Sequence, residues 1–168
     1  MNMKTGSFQL EASITELHMY RFDRVLFDTP TPDEGKRTWE DITGLQWPNR
    51  GWWTEAESLD TDVFDIRPNE QTAIHFRESR FQQNVKIVVW SERQKKLKTR
   101  VTAIIKQNDV DVDDHLVLEP ELLPYIRMNL ASSDITRVVI YDDSGVHKHM
   151  VDALASEYPN VDFVIFVV

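Results

Sequence analysis

The chain has no cysteine among its 168 residues. That removes disulfides, thiolate metal sites and cysteine nucleophiles, and fits an intracellular protein. Positive charge is also scarce: the formal net charge is -9, so general attraction to nucleic acid or an anionic membrane is not expected, and any polyanion contact must be local. No apolar stretch approaches the roughly 18 to 20 residues of a membrane span. The opening Met1-Asn2-Met3-Lys4-Thr5-Gly6-Ser7 lacks the apolar core of a signal peptide. A cytoplasmic protein with no membrane partner is the expectation. Repeats and low-complexity segments are missing too. What is present, 41% apolar and 10% aromatic residues, suffices for one buried core and is short for two.

Residues 1–16 mix polar and apolar types without a period and read as a leader ahead of one domain, 17–168. The first strand runs over about Leu17–Phe22. From about residue 28 to 62 come three prolines, three glycines and the tryptophans Trp39, Trp47, Trp52 and Trp53, too aromatic for a solvated linker. An ordered, cap-like insertion after the first strand is expected. Pro68 opens a helix carrying Ala73, Ile74, Phe76 and Phe81, and Val85–Trp90 has the near-continuous apolar character of a buried parallel strand. Helices over Arg93–Lys106, Pro120–Leu130 and Val146–Tyr158 then alternate with strands over His115–Leu118, Arg137–Tyr141 and Val161–Val168. Five strands separated by helices predict an α/β fold, a three-layer Rossmann-like parallel sheet.

Two strands deliver acids into loops: Met19-Tyr20-Arg21-Phe22-Asp23 and Val139-Ile140-Tyr141-Asp142-Asp143. The carboxyl ends of neighbouring parallel strands share one crevice, so these runs can converge on a single acidic site. Ser91 follows the apolar strand Val88-Val89-Trp90, where a helix N-terminus would add a partial charge that favours an anion.

This layout resembles the haloacid dehalogenase-like (HAD) phosphotransferases. Their first motif, Asp-x-Asp-x-Thr, aligns with Arg21, Phe22, Asp23, Arg24 and Val25. The resemblance makes Asp23 the general acid and base and puts arginine in the nucleophile's place, where it has no lone pair to attack phosphorus. It makes Ser91 the phosphoryl-binding hydroxyl and Asp142 and Asp143, with Asp23, the carboxylates for Mg2+. The family's lysine has no well-placed counterpart; Arg127 or Lys106 could stand in, Arg127 being preferred. A narrower similarity is to the HAD-like domains of Swiss Army Knife RNA repair-like proteins. It rests on Leu26-Phe27-Asp28-Thr29-Pro30-Thr31-Pro32, Gly51-Trp52-Trp53, Ser91-Glu92-Arg93, Leu118-Glu119-Pro120 (where that group tends to have Leu-Lys-Pro), Tyr141-Asp142-Asp143 and His147. Arg21, Val25 and Glu119 depart from that pattern by removing or reversing charges.

The resemblance therefore implies a degenerate phosphatase-like domain, a pseudoenzyme that binds a protein partner or a phosphorylated ligand such as a nucleotide or nucleic-acid end. The binding residues would be Arg21, Ser91, Glu92, Arg93, Trp52 and Trp53, with no cofactor. The alternatives are a Mg2+-dependent phosphohydrolase using Asp23 or Asp28, and a structural or assembly component. Plainer readings compete at each position. Asp23 and the Asp142-Asp143 pair suit turns, Ser91 suits an N-cap, and Trp52 and Trp53 suit a packed core. The basic run Arg93, Lys95, Lys96, Lys98, Arg100 suits a solvated face. His147 and His149, two apart on a helix, diverge and do not form a joint metal site. The Asp109–Asp114 run places Asp114 where a calcium loop needs glycine.

Overall fold

A computed structural model describes residues 13–145 and 147–168. The expected leader, up to residue 12, lies outside the described residues, as does Val146, the expected start of the last helix. The apolar runs form five strands, β1 (Glu16–Arg21), β2 (Val85–Ser91), β3 (Val117–Leu118), β4 (Arg137–Asp142) and β5 (Asp162–Val167). All pair in parallel, in the order β3-β2-β1-β4-β5. β1 is thus central, and the direction of strand order reverses beside it. In such sheets the ligand crevice opens at the carboxyl ends of the strands around that reversal.

Side chains alternate across the sheet. Tyr20, Ile87, Val89, Val139 and Tyr141 enter one apolar core, while Leu17, Met19, Val88, Trp90, Val138 and Ile140 enter the other. The first is covered by α1 (Pro32–Thr43), α2 (Glu70–Phe81) and α3 (Lys98–Gln107), through Trp39, Phe76, Val101 and Ile104. The second is covered by α4 (Glu119–Ser132) and α5 (Lys148–Glu157), through Leu122, Ile126, Val151 and Leu154. The result is a three-layer α/β arrangement compatible with a Rossmann-like fold. No helix among the described residues is long and apolar enough to cross a membrane.

The tryptophan-bearing segment after β1 is ordered by its own chemistry. Thr31 caps α1 in a reciprocal capping box with Glu34, and Pro32 occupies the first turn. Gly44 ends the helix at φ 70°, its N–H donating to the Glu40 carbonyl at 2.9 Å. Trp39 meets Trp47 edge-on at 5.2 Å, Trp47 meets Trp52 at 4.7 Å, and Trp52 meets Phe64 at 5.4 Å between ring centroids. Burying one indole removes about 150–250 Å² from water, worth about 4–6 kcal/mol at about 25 cal/mol/Å². Gly35 makes the approach possible: a Cβ there would lie 1.9 Å from the Trp52 ring.

One boundary corrects the sequence expectation. The helix expected from Arg93 begins at Lys98, after a 3-10 turn over Lys95–Leu97. Arg93 is drawn inward by its partners instead of opening a helix, so Ser91–Arg93 is not a helix N-terminus.

Candidate functional site

Arg21 is the last residue of β1 and, by alternation, shares the face of Leu17 and Met19. Its guanidinium therefore lies at the carboxyl end of the central strand, 5.9 Å from the Trp90 ring centroid. Nη1 donates to Asp142 Oδ1 at 3.1 Å and contacts Asp143, and Nη2 donates to Glu92 Oε2 at 2.9 Å. One cation thus ties the ends of β1, β2 and β4 together. Burial opposes its charge, but Glu92, Asp143 and Asp142 outweigh that and raise its pKa. Asp142 is fully buried. Burial alone would push its carboxyl up, yet the hydrogen bonds from His147, the Asp143 N–H and Arg21 hold it below the ordinary range.

Asp23 was expected beside Arg21. The structure corrects this, because Asp23 belongs to a second ion pair. After β1 the chain turns through Arg24 at φ 62°, with Leu26 N–H donating to the Arg21 carbonyl at 3.0 Å. The turn directs Asp23 to Arg93, whose Nε and Nη2 each reach a carboxylate oxygen at 2.9 Å. Arg93 Nη1 donates to Ser58 Oγ at 2.7 Å and to the Trp53 carbonyl at 3.2 Å. Both charged side chains are almost wholly enclosed, 2% exposed for Arg93 and 5% for Asp23. Trp53 lies over the guanidinium at 5.2 Å. Ser91 is buried, and its Oγ accepts from the Arg93 N–H at 3.1 Å. Trp52 is buried in the core, so of the two adjacent indoles Trp53 is the one with an open face.

A third group sits beside Arg21. His147, just before α5, donates from Nδ1 to Asp142 Oδ2 at 2.8 Å, and its ring meets Trp90 edge-on at 4.8 Å. Nε2 faces Glu119 Oε1 at 3.4 Å and Glu92 Oε1 at 3.7 Å. The Asp142 contact raises the His147 pKa against the effect of burial. Burial raises the Glu92 pKa, and Glu119 adds to it, despite Arg21. Four carboxylates thus surround one fixed cation and one imidazole. In the sequence Glu119 stands out only through the resemblance, and His147 through it and through its pairing with His149. Their convergence with Glu92 could not be read from spacing, because it joins the ends of β2, β3 and β4.

Other expected residues fall elsewhere. Arg127 is exposed on α4 and pairs with Glu157 at 2.9 Å, and Lys106 is exposed in the last turn of α3. Both helices run back from the crevice, so neither replaces the family's lysine. Lys95, Lys96 and Arg100 are exposed as a solvated basic face requires, but Arg93 is buried and not part of it. His149 is exposed on α5, apart from His147's partners. Asp28 accepts from Asn69 Nδ2 at 2.7 Å and lines a separate cavity of about 400 Å³ with Arg24, Thr29, Glu34 and Asp65.

No protein-family model matches the chain, and no solved structure matches it. Among curated proteins, a stretch of 56 residues is 43% identical to the uncharacterized protein YMR265C of Saccharomyces cerevisiae. The stretch covers 32% of this chain and 12% of the yeast protein. The similarity is thus local, and it brings no activity with it.

Proposed function

We propose that this chain is a haloacid dehalogenase-like domain whose phosphotransferase centre has become an ion-pair network, and that it works as a binding or scaffold domain without phosphoryl transfer. The observation that carries the reading is Arg21. It stands where the resemblance requires a nucleophilic aspartate, and it holds Asp142, Asp143 and Glu92. A guanidinium cannot attack phosphorus, and here it takes the electrostatic role a magnesium ion would have between the same carboxylates. Asp23, the acid and base of that scheme, is engaged on both oxygens by Arg93. Arg21 and Glu119 also reverse charge relative to the Asp and Lys of the resembled pattern, in opposite senses, so the two departures compensate.

The reading favours a protein partner over a phosphorylated ligand. Asp142, Asp143, Glu92 and Glu119 repel a phosphate, the Ser91 hydroxyl is engaged, and four of Arg93's five N–H donors are used. The experiment is a comparison of the wild type with Arg21→Asp. The wild type should hydrolyse no generic phosphomonoester and gain no thermal stability from millimolar Mg2+. Arg21→Asp should melt lower without metal and regain part of the loss with Mg2+. Wild-type turnover that Asp23→Asn abolishes would overturn the proposal in favour of a Mg2+-dependent phosphohydrolase.

A further inference from the structure

His147 is 8% exposed and held on both sides. Its Nδ1 is engaged by Asp142 Oδ2 at 2.8 Å, and Trp90 fixes the ring edge-on. A carboxylate bonded to one imidazole nitrogen sets the tautomer, leaving the lone pair on the other. That lone pair, on Nε2, is aimed at Glu119 Oε1 at 3.4 Å and Glu92 Oε1 at 3.7 Å. The three ligand atoms lie within 4.8 Å of one another, and an ion bound among them takes the place of any proton on Nε2. The histidine is buried and the two glutamates are exposed, 37% and 48% in their side chains, so the space between them is open to a cation from solvent.

The spacing specifies which kind. Ligands bound tetrahedrally at about 2.0–2.2 Å are separated from one another by about 3.3–3.6 Å; the Glu119 separation from Nε2, 3.4 Å, lies within that edge and the Glu92 separation, 3.7 Å, just beyond it. The charge balance points the same way, because Asp142, Asp143, Glu92 and Glu119 outnumber the single guanidinium of Arg21. Glu92 can serve both, since Oε2 accepts from Arg21 while Oε1 faces His147. An imidazole with two carboxylates suits a borderline divalent ion such as Zn2+ and is a poor set for Mg2+, which prefers an octahedron of oxygens.

We propose that Glu92, Glu119 and His147 form a Zn2+-type site at the carboxyl ends of β2, β3 and β4, with Asp142 orienting the imidazole and a fourth position open to solvent. The proposal does not depend on the fold family, and its test does not involve Mg2+ or turnover.

The probe is Zn2+ alone, titrated at micromolar concentration into the EDTA-stripped, dialysed 168-residue chain, with calorimetry and thermal melts as readouts. Binding of one ion per chain is expected. Zinc at a hundred times its Kd should raise Tm by about 5 to 10 °C, and Co2+ in its place should give the visible absorption of a four-coordinate ion. Glu119→Gln and Glu92→Gln alter partly exposed side chains, so both should fold, and each should weaken Zn2+ at least tenfold. His147→Gln should abolish binding where it folds. No saturable Zn2+ binding by the wild type would overturn the site and leave His147 as an imidazolium that balances the acids itself. Binding that survives undiminished in both glutamine variants would place the ion elsewhere and overturn it equally.

Discussion

The buried pair between Asp23 and Arg93 allows a quantitative test. Replacing Arg93 with methionine keeps most of the side chain's length and removes its charge. Asp23, 5% exposed in its side chain, would then be left charged with no counter-ion. Removing one member of a buried ion pair typically costs about 3–5 kcal/mol. The same substitution also frees the Ser58 hydroxyl and the Trp53 carbonyl, bound at 2.7 and 3.2 Å, which places the expected loss in the upper part of that range. For a chain of this length 1 kcal/mol corresponds to about 2–4 °C in Tm, so Arg93→Met should melt roughly 10 °C or more below the wild type. The double variant Asp23→Leu with Arg93→Met replaces the pair by apolar groups and removes the stranded charge. It should be more stable than Arg93→Met alone by at least about 2 kcal/mol. Urea unfolding of all four proteins in a double-mutant cycle measures this. An Arg93→Met loss below about 1 kcal/mol, or simple additivity in the double variant, would refute the claim that Asp23 is held as one half of a structural pair.

Smaller perturbations test the surroundings. Gly35→Ala drives a Cβ to within 1.9 Å of the Trp52 ring, and because that ring is rigid and buried, urea unfolding should show a loss at or beyond the upper end of about 1–3 kcal/mol. Thr31→Ala removes the α1 cap and should cost about 1 kcal/mol in the same assay. His18 donates to or accepts from Ser79 Oγ at 2.7 Å, and burial lowers its pKa below 6.5 despite Glu16. The stability its neutral ring contributes is complete above the unfolded value of about 6.5 and is lost as pH falls through the lower folded value. Between about pH 7 and about pH 5, therefore, the unfolding free energy of the wild type should fall more steeply than that of His18→Gln. Arg127→Ala should change stability by less than about 1 kcal/mol, since both members of its pair with Glu157 are well exposed.

The strands were legible because buried parallel strands are written as unbroken apolar runs. Val85–Trp90 and Arg137–Tyr141 each differ from the observed strand by one residue. Their convergence followed from strand-end geometry, and the expected meeting of Arg21 with Asp142 and Asp143 is found. α1 went unread although Thr31-Pro32-Asp33-Glu34 spells a capping box, because its apolar content is low and the neighbouring tryptophans drew the reading toward a loop. The late start of α3 was hidden for a different reason. Arg93 looks like one more member of a basic helix, and only the turn at Arg24 brings Asp23 within its reach. His147 pairs in sequence with His149, whereas its partners are Asp142 at the end of the strand it follows and Glu92 and Glu119 from the ends of β2 and β3. Periodicity carries no information about side chains just past the last residue of a strand, which is where these groups lie.

The central place of β1 has a kinetic consequence. Its register runs from Glu16 against Val85 on one side and Arg137 on the other, so this strand, made before both of its neighbours, waits for partners far along the chain. Neither pairing can form until a long loop closes, and closure entropy is spent before any contact repays it. While it waits, Leu17, Met19 and Tyr20, all fully buried in the folded protein, are exposed on an unpaired strand. Folding should accordingly be slow and sensitive to protein concentration, with aggregation competing at this segment. Refolding yield should fall as concentration rises, even where the folded protein itself is stable.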